Sequence, residues 1–314
     1  QFISLFAIAA SVSGCKRLSI RSVELESNST NSAPSYSFTK ITDSSQRRWM
    51  DLADQPKPVE IYGKLFMIGK TPTNDSQLAY YDSTNGYVKL LTAASLGFSY
   101  TDVAWMAIEN GKLFYVATDS VTTRQNMYRL NSDLTATLIL DSNSLPYTTY
   151  EFPKSNDTVA TAGAKALYFI CNLNLFGNND RLCKYQDGGT GFTVYASTRT
   201  IDNGQDISFD FYNDDVYFTS YDDNWSSTLH KLSGGIVTNL TDTYPGAANQ
   251  DFAYGPTVIN GIVYFASMDP AAHFKLFKYT IGTGITAQIS NTRPGWDDNI
   301  NQMTKVGNNL FVSM

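Results

Sequence analysis

The sequence predicts an all-β protein, a β-propeller of four-stranded antiparallel blades, with six blades the smallest ring that fits. Three observations predict it. First, an apolar-aromatic strand recurs: Leu65-Phe66-Met67, Leu113-Phe114-Tyr115, Leu167-Tyr168-Phe169, Val216-Tyr217-Phe218, Val263-Tyr264-Phe265 and Leu310-Phe311-Val312. The middle residues stand at 66, 114, 168, 217, 264 and 311, so the period is about 50 residues. Second, each of the first five is followed by another motif: Leu78-Ala79-Tyr80-Tyr81, Met127-Tyr128-Arg129-Leu130, Leu182-Cys183-Lys184-Tyr185, Leu229-His230-Lys231-Leu232 and Leu276-Phe277-Lys278-Tyr279. Third, no long apolar pattern of helical period lies between them.

The remaining strands of the repeat follow in order. A third run succeeds each pair, as in residues 235–240 and 284–289, and a fourth precedes it, as in residues 206–211 and 252–258. Four short strands per repeat make one propeller blade. Runs rich in Tyr, Phe, Val and Thr and apolar on both faces suit sheets packed between neighbouring sheets. A β-sandwich has no reason to repeat so evenly, and solenoid repeats are usually shorter. Residues 37–43 resemble residues 236–242, the outermost strand of a blade. Residues 37–42 are therefore expected to supply the outer strand of the last blade, closing the ring and removing its edges. The propeller is placed at residues 37–314. Five repeats are complete and a sixth begins near Gly307; seven or eight blades stay open, because the chain is expected to be incomplete at its C-terminus.

Ahead of the propeller, residues 2–12 are mostly apolar, too short to span a bilayer and the right length for the apolar region of a secretory signal. Val12-Ser13-Gly14-Cys15 ends that segment and resembles the lipobox of bacterial lipoproteins, which implies a partial signal peptide over residues 1–15 and a lipid on Cys15. Lys16 stands where Asp would retain such a protein, so the resemblance implies passage to the outer membrane of a bacterial envelope, on either of its sides. Residues 16–36, with few apolar anchors, are expected to be a flexible tether. Cys171 and Cys183 lie near the ends of two strands expected to pair, as a cross-strand disulfide or as two free buried thiols.

Asn260-Gly261-Ile262-Val263-Tyr264-Phe265, followed by residues 275–284, resembles the unit of the ELWxxDGT family of bacterial secreted repeat proteins: an apolar-aromatic strand, a Leu-aromatic-Lys strand and a Gly-Thr turn. Residues 242–246 and 291–295 resemble that family's Pro-Gly linker. The motif is degenerate, lacking the Glu before Leu and the Asp before Gly-Thr, so TolB-like propellers are the distant alternative. The resemblance covers residues 60–314 and implies a surface module with no reaction and no catalytic residue.

The search for chemistry agrees. Net charge is −6 with no long basic run, which excludes the electrostatic footprint of a nucleic-acid binder. Two His in the chain exclude multi-His metal sites. His230 reads as a packed strand residue and His273 as a loop residue. There is no Gly-x-Ser-x-Gly elbow, phosphate loop or Cys-x-x-Cys pair. Asp222-Asp223 and Asp297-Asp298 would be the acids of an acid/base pair, or oxygens for Ca²⁺, the one cofactor the sequence brings up; they read first as solvated turn residues.

Connections between first and second strands, and between third and fourth, are tight, while those between second and third and from blade to blade are long. In an up-and-down blade the two long classes emerge on one face. That face is expected to carry exposed aromatics: Tyr147, Tyr150, Phe176, Tyr221, Trp225, Tyr244 and Trp296. Tyr221, Trp225, Tyr244 and Trp296, with Asp222 and Asp297, are the candidate ligand-binding residues. The expected function is non-enzymatic: a monomeric surface lipoprotein that binds a protein or glycan through this face and meets the membrane only through its lipid. A secreted hydrolase or lyase with acids at the central channel is the alternative; a structural spacer is a third reading.

Overall fold

A computed structural model describes residues 21–24, 37–40, 58–70, 75–82, 87–145, 147, 149–155, 165–172, 180–188, 191–200, 209–221, 227–241, 243, 252–300 and 302–313. After β1 (Arg21–Glu24) and β2 (Ser37–Lys40), the first four-stranded sheet holds β3 (Val59–Ile61), β4 (Lys64–Lys70), β5 (Ser76–Asp82) and β6 (Tyr87–Leu91). The second holds β7 (Tyr100–Glu109), β8 (Lys112–Asp119), β9 (Gln125–Leu130) and β10 (Ala136–Leu140). The third holds β11 (Thr149–Ser155), β12 (Leu167–Asn172), β13 (Asp180–Gln186) and β14 (Gly191–Thr200). The fourth holds β15 (Phe209–Tyr212), β16 (Asp215–Tyr221), β17 (Ser227–Ser233) and β18 (Ile236–Asn239). The fifth holds β19 (Tyr254–Ile259), β20 (Ile262–Met268), β21 (Phe274–Thr280) and β22 (Ile285–Gln288). A sixth sheet holds β23 (Gln302–Val306) and β24 (Asn309–Ser313). Strand order within every sheet is sequential and antiparallel, the topology of a propeller blade.

Turn chemistry sets this register. Asn110-Gly111 and Asn260-Gly261 take positive φ at both residues, as two-residue type I′ hairpins demand, and they place Glu109 opposite Lys112 and Ile259 opposite Ile262. Gly261 has a second reason to lack a side chain: a Cβ there would lie 3.3 Å from the Tyr212 hydroxyl of the preceding sheet.

Because strand side chains alternate, each central strand feeds two cores. Leu113, Tyr115 and Ala117 pack with Phe66, Ile68 and Leu78 of the first sheet, while Phe114 and Val116 pack with Leu167 and Phe169 of the third. Tyr168 and Ile170 turn the other way, onto Phe209 and Phe218. Tyr217 and Leu229 continue onto Val263 and Phe265, and Ala266 and Leu276 onto Ile300. Five apolar clusters thus lie between six sheets taken in chain order, and each buried Phe or Leu contributes about 1.5–3 kcal/mol.

The inner strands are also stitched. Asp210 of β15 accepts the Val258 amide of β19 at 2.7 Å, and Lys305 of β23 donates to the Val258 carbonyl at 2.9 Å. Lys154 of β11 donates to the Phe209 carbonyl at 2.8 Å. These charges satisfy backbone groups of inner strands that no further strand of their own sheet can reach. On the short-turn side Asp187 binds both Lys112 and Arg129, tying the third sheet to the second.

Cys171 and Cys183 are joined as a disulfide with Cα atoms 6.0 Å apart, set diagonally across β12 and β13. His230 stacks on Phe218, ring centroids 5.6 Å apart. β2 falls where the sequence places a strand, but it pairs with β1, inside the segment read as a tether. A hairpin closed over a dozen residues has a far smaller closure entropy than a pairing across the whole chain. Cys15 lies outside the described residues.

Candidate functional site

The long-loop face is built on one recurring position. Gln77, Asn126, Arg181, Thr228 and Lys275 each precede the apolar residue that opens the motif of their blade's third strand. Gln77 donates to the Thr101 carbonyl at 2.7 Å and accepts the Ala93 amide at 3.1 Å. Asn126 accepts the Ser142 amide at 2.9 Å and the Ser142 hydroxyl at 2.7 Å. In both cases a buried polar side chain satisfies the loop leading to the next blade, where orphaned backbone groups would otherwise be costly. The entries of four of the third strands meet the next blade as well: Ser76 N donates to Asp102, Tyr150 N to Gln125, Ala253 N to the Ser227 carbonyl and Phe274 N to Asp297.

Lys275 carries this device furthest. Its ammonium, buried, donates to Asp298 Oδ1 at 3.1 Å, to Asn291 Oδ1 at 3.2 Å, and to the carbonyls of Arg293 at 3.1 Å and Trp296 at 2.7 Å. Asp298 also accepts from Ser290 Oγ, from Thr292 Oγ1 at 2.9 Å and from Arg293 N at 3.1 Å. Burial pushes this carboxyl up, but bonds from Ser290, Lys275, Thr292 and Arg293 outweigh it and hold the pKa down to about 2.

This buried pair fixes the loop that displays Trp296. Trp296 N donates to the Arg293 carbonyl at 3.0 Å and its own carbonyl is held by Lys275, while its side chain stays 69% exposed. Asp297 is exposed, with Oδ1 on the Phe274 amide at 2.9 Å. The half-buried Phe274 ring lies 5.7 Å from Tyr254 and 6.5 Å from Phe252. The loop thus presents an exposed indole on a fixed backbone, next in sequence to an exposed carboxylate that is bonded to the start of β21. Such a surface stacks on apolar faces and accepts hydroxyl or amide protons.

Among the sequence candidates, Trp296 and Asp297 are brought together here. Tyr221 ends β16, and Asp222, Trp225, Tyr244 and Phe176 lie outside the described residues. Tyr147 and Tyr150, expected to be exposed, are buried: they join the core between the second and third sheets, Tyr150 against Phe169 and Tyr147 against Phe192. A ring of that size gains more from a blade-to-blade gap than from water. Asp298 departs from the solvated-turn reading, being buried and ion-paired. Phe252, Tyr254 and Phe274 are not among the sequence candidates, although they lie on either side of the 260–261 turn. Among the described residues, no group of three or more His, Cys, Asp or Glu is placed to hold a metal ion. Asp210, an acid on an inner strand, is engaged by the Phe211 and Val258 amides.

Repeating four-stranded sheets with blade-to-blade cores define the class: the chain is a β-propeller. Residues 15–162 match the family described as dipeptidyl peptidase IV (DPP IV) N-terminal region. No curated protein matches the sequence. Among solved structures, a prolyl endopeptidase is similar at 12% identity over 82% of this chain and 39% of its own, with a TM-score of 0.53. A puromycin-hydrolyzing peptidase of Mycobacterium tuberculosis is similar at 12% identity over 81% of this chain and 40% of its own, TM-score 0.52. TolB from Acinetobacter baumannii is similar at 15% identity over 83% of this chain and 62% of its own, TM-score 0.43. The chain therefore spans less than two thirds of each of these proteins. No helix among the described residues is long and apolar enough to cross a membrane.

Proposed function

We propose that the propeller is a non-enzymatic binding module of the bacterial envelope, held by a lipid on Cys15 and engaging a protein or glycan through its long-loop face. The observation that carries the reading is Trp296, an exposed indole on a loop whose backbone is locked by a buried ion pair. Pre-organised aromatic residues bind with little ordering cost, which is why Trp and Tyr concentrate in binding hot spots. The degenerate ELWxxDGT motif supports use as a surface module, and the Cys171–Cys183 disulfide fits an oxidising compartment. The test is a glycan array together with cross-linking on intact cells, comparing the wild type with Trp296→Ala. Binding that survives the substitution unchanged in both formats rules the reading out.

A second reading is favoured by the match over residues 15–162. In it the propeller is the non-catalytic partner of a peptidase domain supplied elsewhere, and the long-loop face is where that domain or its substrate rests. Hydrolysis of peptide substrates by the natural full-length protein distinguishes the two.

A further inference from the structure

Arg293, Pro294, Gly295 and Trp296 close a type II β-turn on the long-loop face. Trp296 N donates to the Arg293 carbonyl at 3.0 Å, proline fixes φ at the second position, and Gly295 at the third takes φ +75, a left-handed value that glycine adopts without strain. Both corners are also held from below. Lys275 Nζ donates to the carbonyls of Arg293 at 3.1 Å and Trp296 at 2.7 Å, and Asp298 Oδ1 accepts the Arg293 amide at 3.1 Å. The backbone donor and acceptor of each corner residue are thus engaged, so the turn needs little ordering when a ligand arrives.

The two corners carry an indole and a guanidinium. Both residues are exposed, and a β-turn brings their Cα atoms within about 7 Å of each other. Among the described residues no carboxylate pairs with the Arg293 guanidinium. Acidic residues outnumber basic ones in the chain, 29 to 23, so a guanidinium that none of them neutralises is open to an external anion. We infer that the ligand of this face is an acidic glycan, one of whose sugars stacks a ring face on Trp296 and pairs its carboxylate with Arg293. The inference rests on the long-loop face being the binding surface, and it names what that surface binds.

The make-up of the loop favours a sugar over a protein. A protein interface of ordinary size covers about 800 Å² on each partner and has an apolar centre. The exposed stretch 291–297 offers one large apolar side chain, Trp296, among Asn291, Thr292, Arg293 and Asp297. A pyranose has the matching composition, one C–H face for the indole and a rim of hydroxyls for polar neighbours. Asp297 accepts the Phe274 amide through Oδ1, which leaves Oδ2 as an acceptor for a sugar hydroxyl. The guanidinium fork matches a carboxylate with two parallel bonds, a geometry that a hydroxyl does not reproduce.

The test is an array of uronic-acid and sialic-acid oligosaccharides, each printed beside its methyl ester, which keeps the ring and removes the charge. The wild type is read against Arg293→Gln and Trp296→Ala, after thermal unfolding shows both variants folded like the wild type. The expected result is binding to at least one acidic probe, about tenfold or more weaker on its ester and about tenfold weaker for Arg293→Gln, as loss of a charged hydrogen-bond pair predicts. Trp296→Ala should lose both signals, and added salt should weaken the acidic one. Equal binding to acid and ester, or binding that Arg293→Gln leaves unchanged, would overturn the inference while leaving the face a binding surface. Silence on every acidic probe would overturn it as well. Whether the surface itself then stands is read separately by cross-linking on intact cells, where a protein captured by the wild type and lost with Trp296→Ala puts a protein in place of the glycan.

Discussion

Replacing Lys275 by Met isolates the energetics of the long-loop face. The substitution keeps most of the side-chain volume and removes an ammonium whose three N–H groups are shared among four acceptors, Asp298, Asn291 and the carbonyls of Arg293 and Trp296. It leaves the Asp298 carboxylate buried with its Ser290, Thr292 and Arg293 donors but without a countercharge. Losing one partner of a buried pair costs about 3–5 kcal/mol. For a domain of this size each kcal/mol lowers Tm by about 2 °C, so the expected drop is about 6–10 °C by circular dichroism. The double variant Lys275→Met/Asp298→Leu should recover part of it, because an apolar pair needs no countercharge. A Tm within about 2 °C of wild type for the single variant would refute the argument that this pair fixes the loop.

Acid should act through the partner. The Asp298 carboxyl titrates at about 2 against an ordinary 3.8, so its contribution is complete above about pH 4 and is lost as pH falls through 2. Denaturant titrations should show about 2 kcal/mol of stability disappearing over that window in the wild type, a segment that Asp298→Asn flattens. Gly261→Ala should lower stability by about 1–2 kcal/mol, because its φ is +76 and the Tyr212 hydroxyl occupies the space; an unchanged urea midpoint would contradict this. Trp296→Ala should change stability by no more than about 0.5 kcal/mol, since the exposed indole supports no core; a larger loss in thermal unfolding would make it a structural residue.

The sheets were legible because burial on both faces forces Phe66, Phe114, Tyr168 and Tyr217 to recur at one position, and a period of about 50 residues has no simpler cause. The exposure of Trp296 was legible for a similar reason: long loops on one face leave large rings few places to go. Tyr147 and Tyr150 fall in a stretch whose sequence reads as a long loop, but β11 already begins at Thr149 and the second and third sheets close over both rings. The burial of Asp298 is not legible, because its partner, Lys275, stands 23 residues away on β21, at a position that is Gln, Asn, Arg or Thr in the other blades. What recurs there is polarity and reach, a weaker signal than a shared residue type. The pairing of β1 with β2 leaves no mark in the sequence, because Arg21–Glu24 holds one apolar residue, too few for a strand to show by alternation.

The claim that the long-loop face is the working surface is tested most directly by side-chain oxidative footprinting of the protein in intact cells that produce it and again after purification. The account predicts protection of Trp296 and Phe274 in the cells, with Ile236 and Ile285, exposed beside the short turns on the opposite face, oxidised equally in both states. Protection of Ile236 and Ile285 with Trp296 unchanged would contradict it.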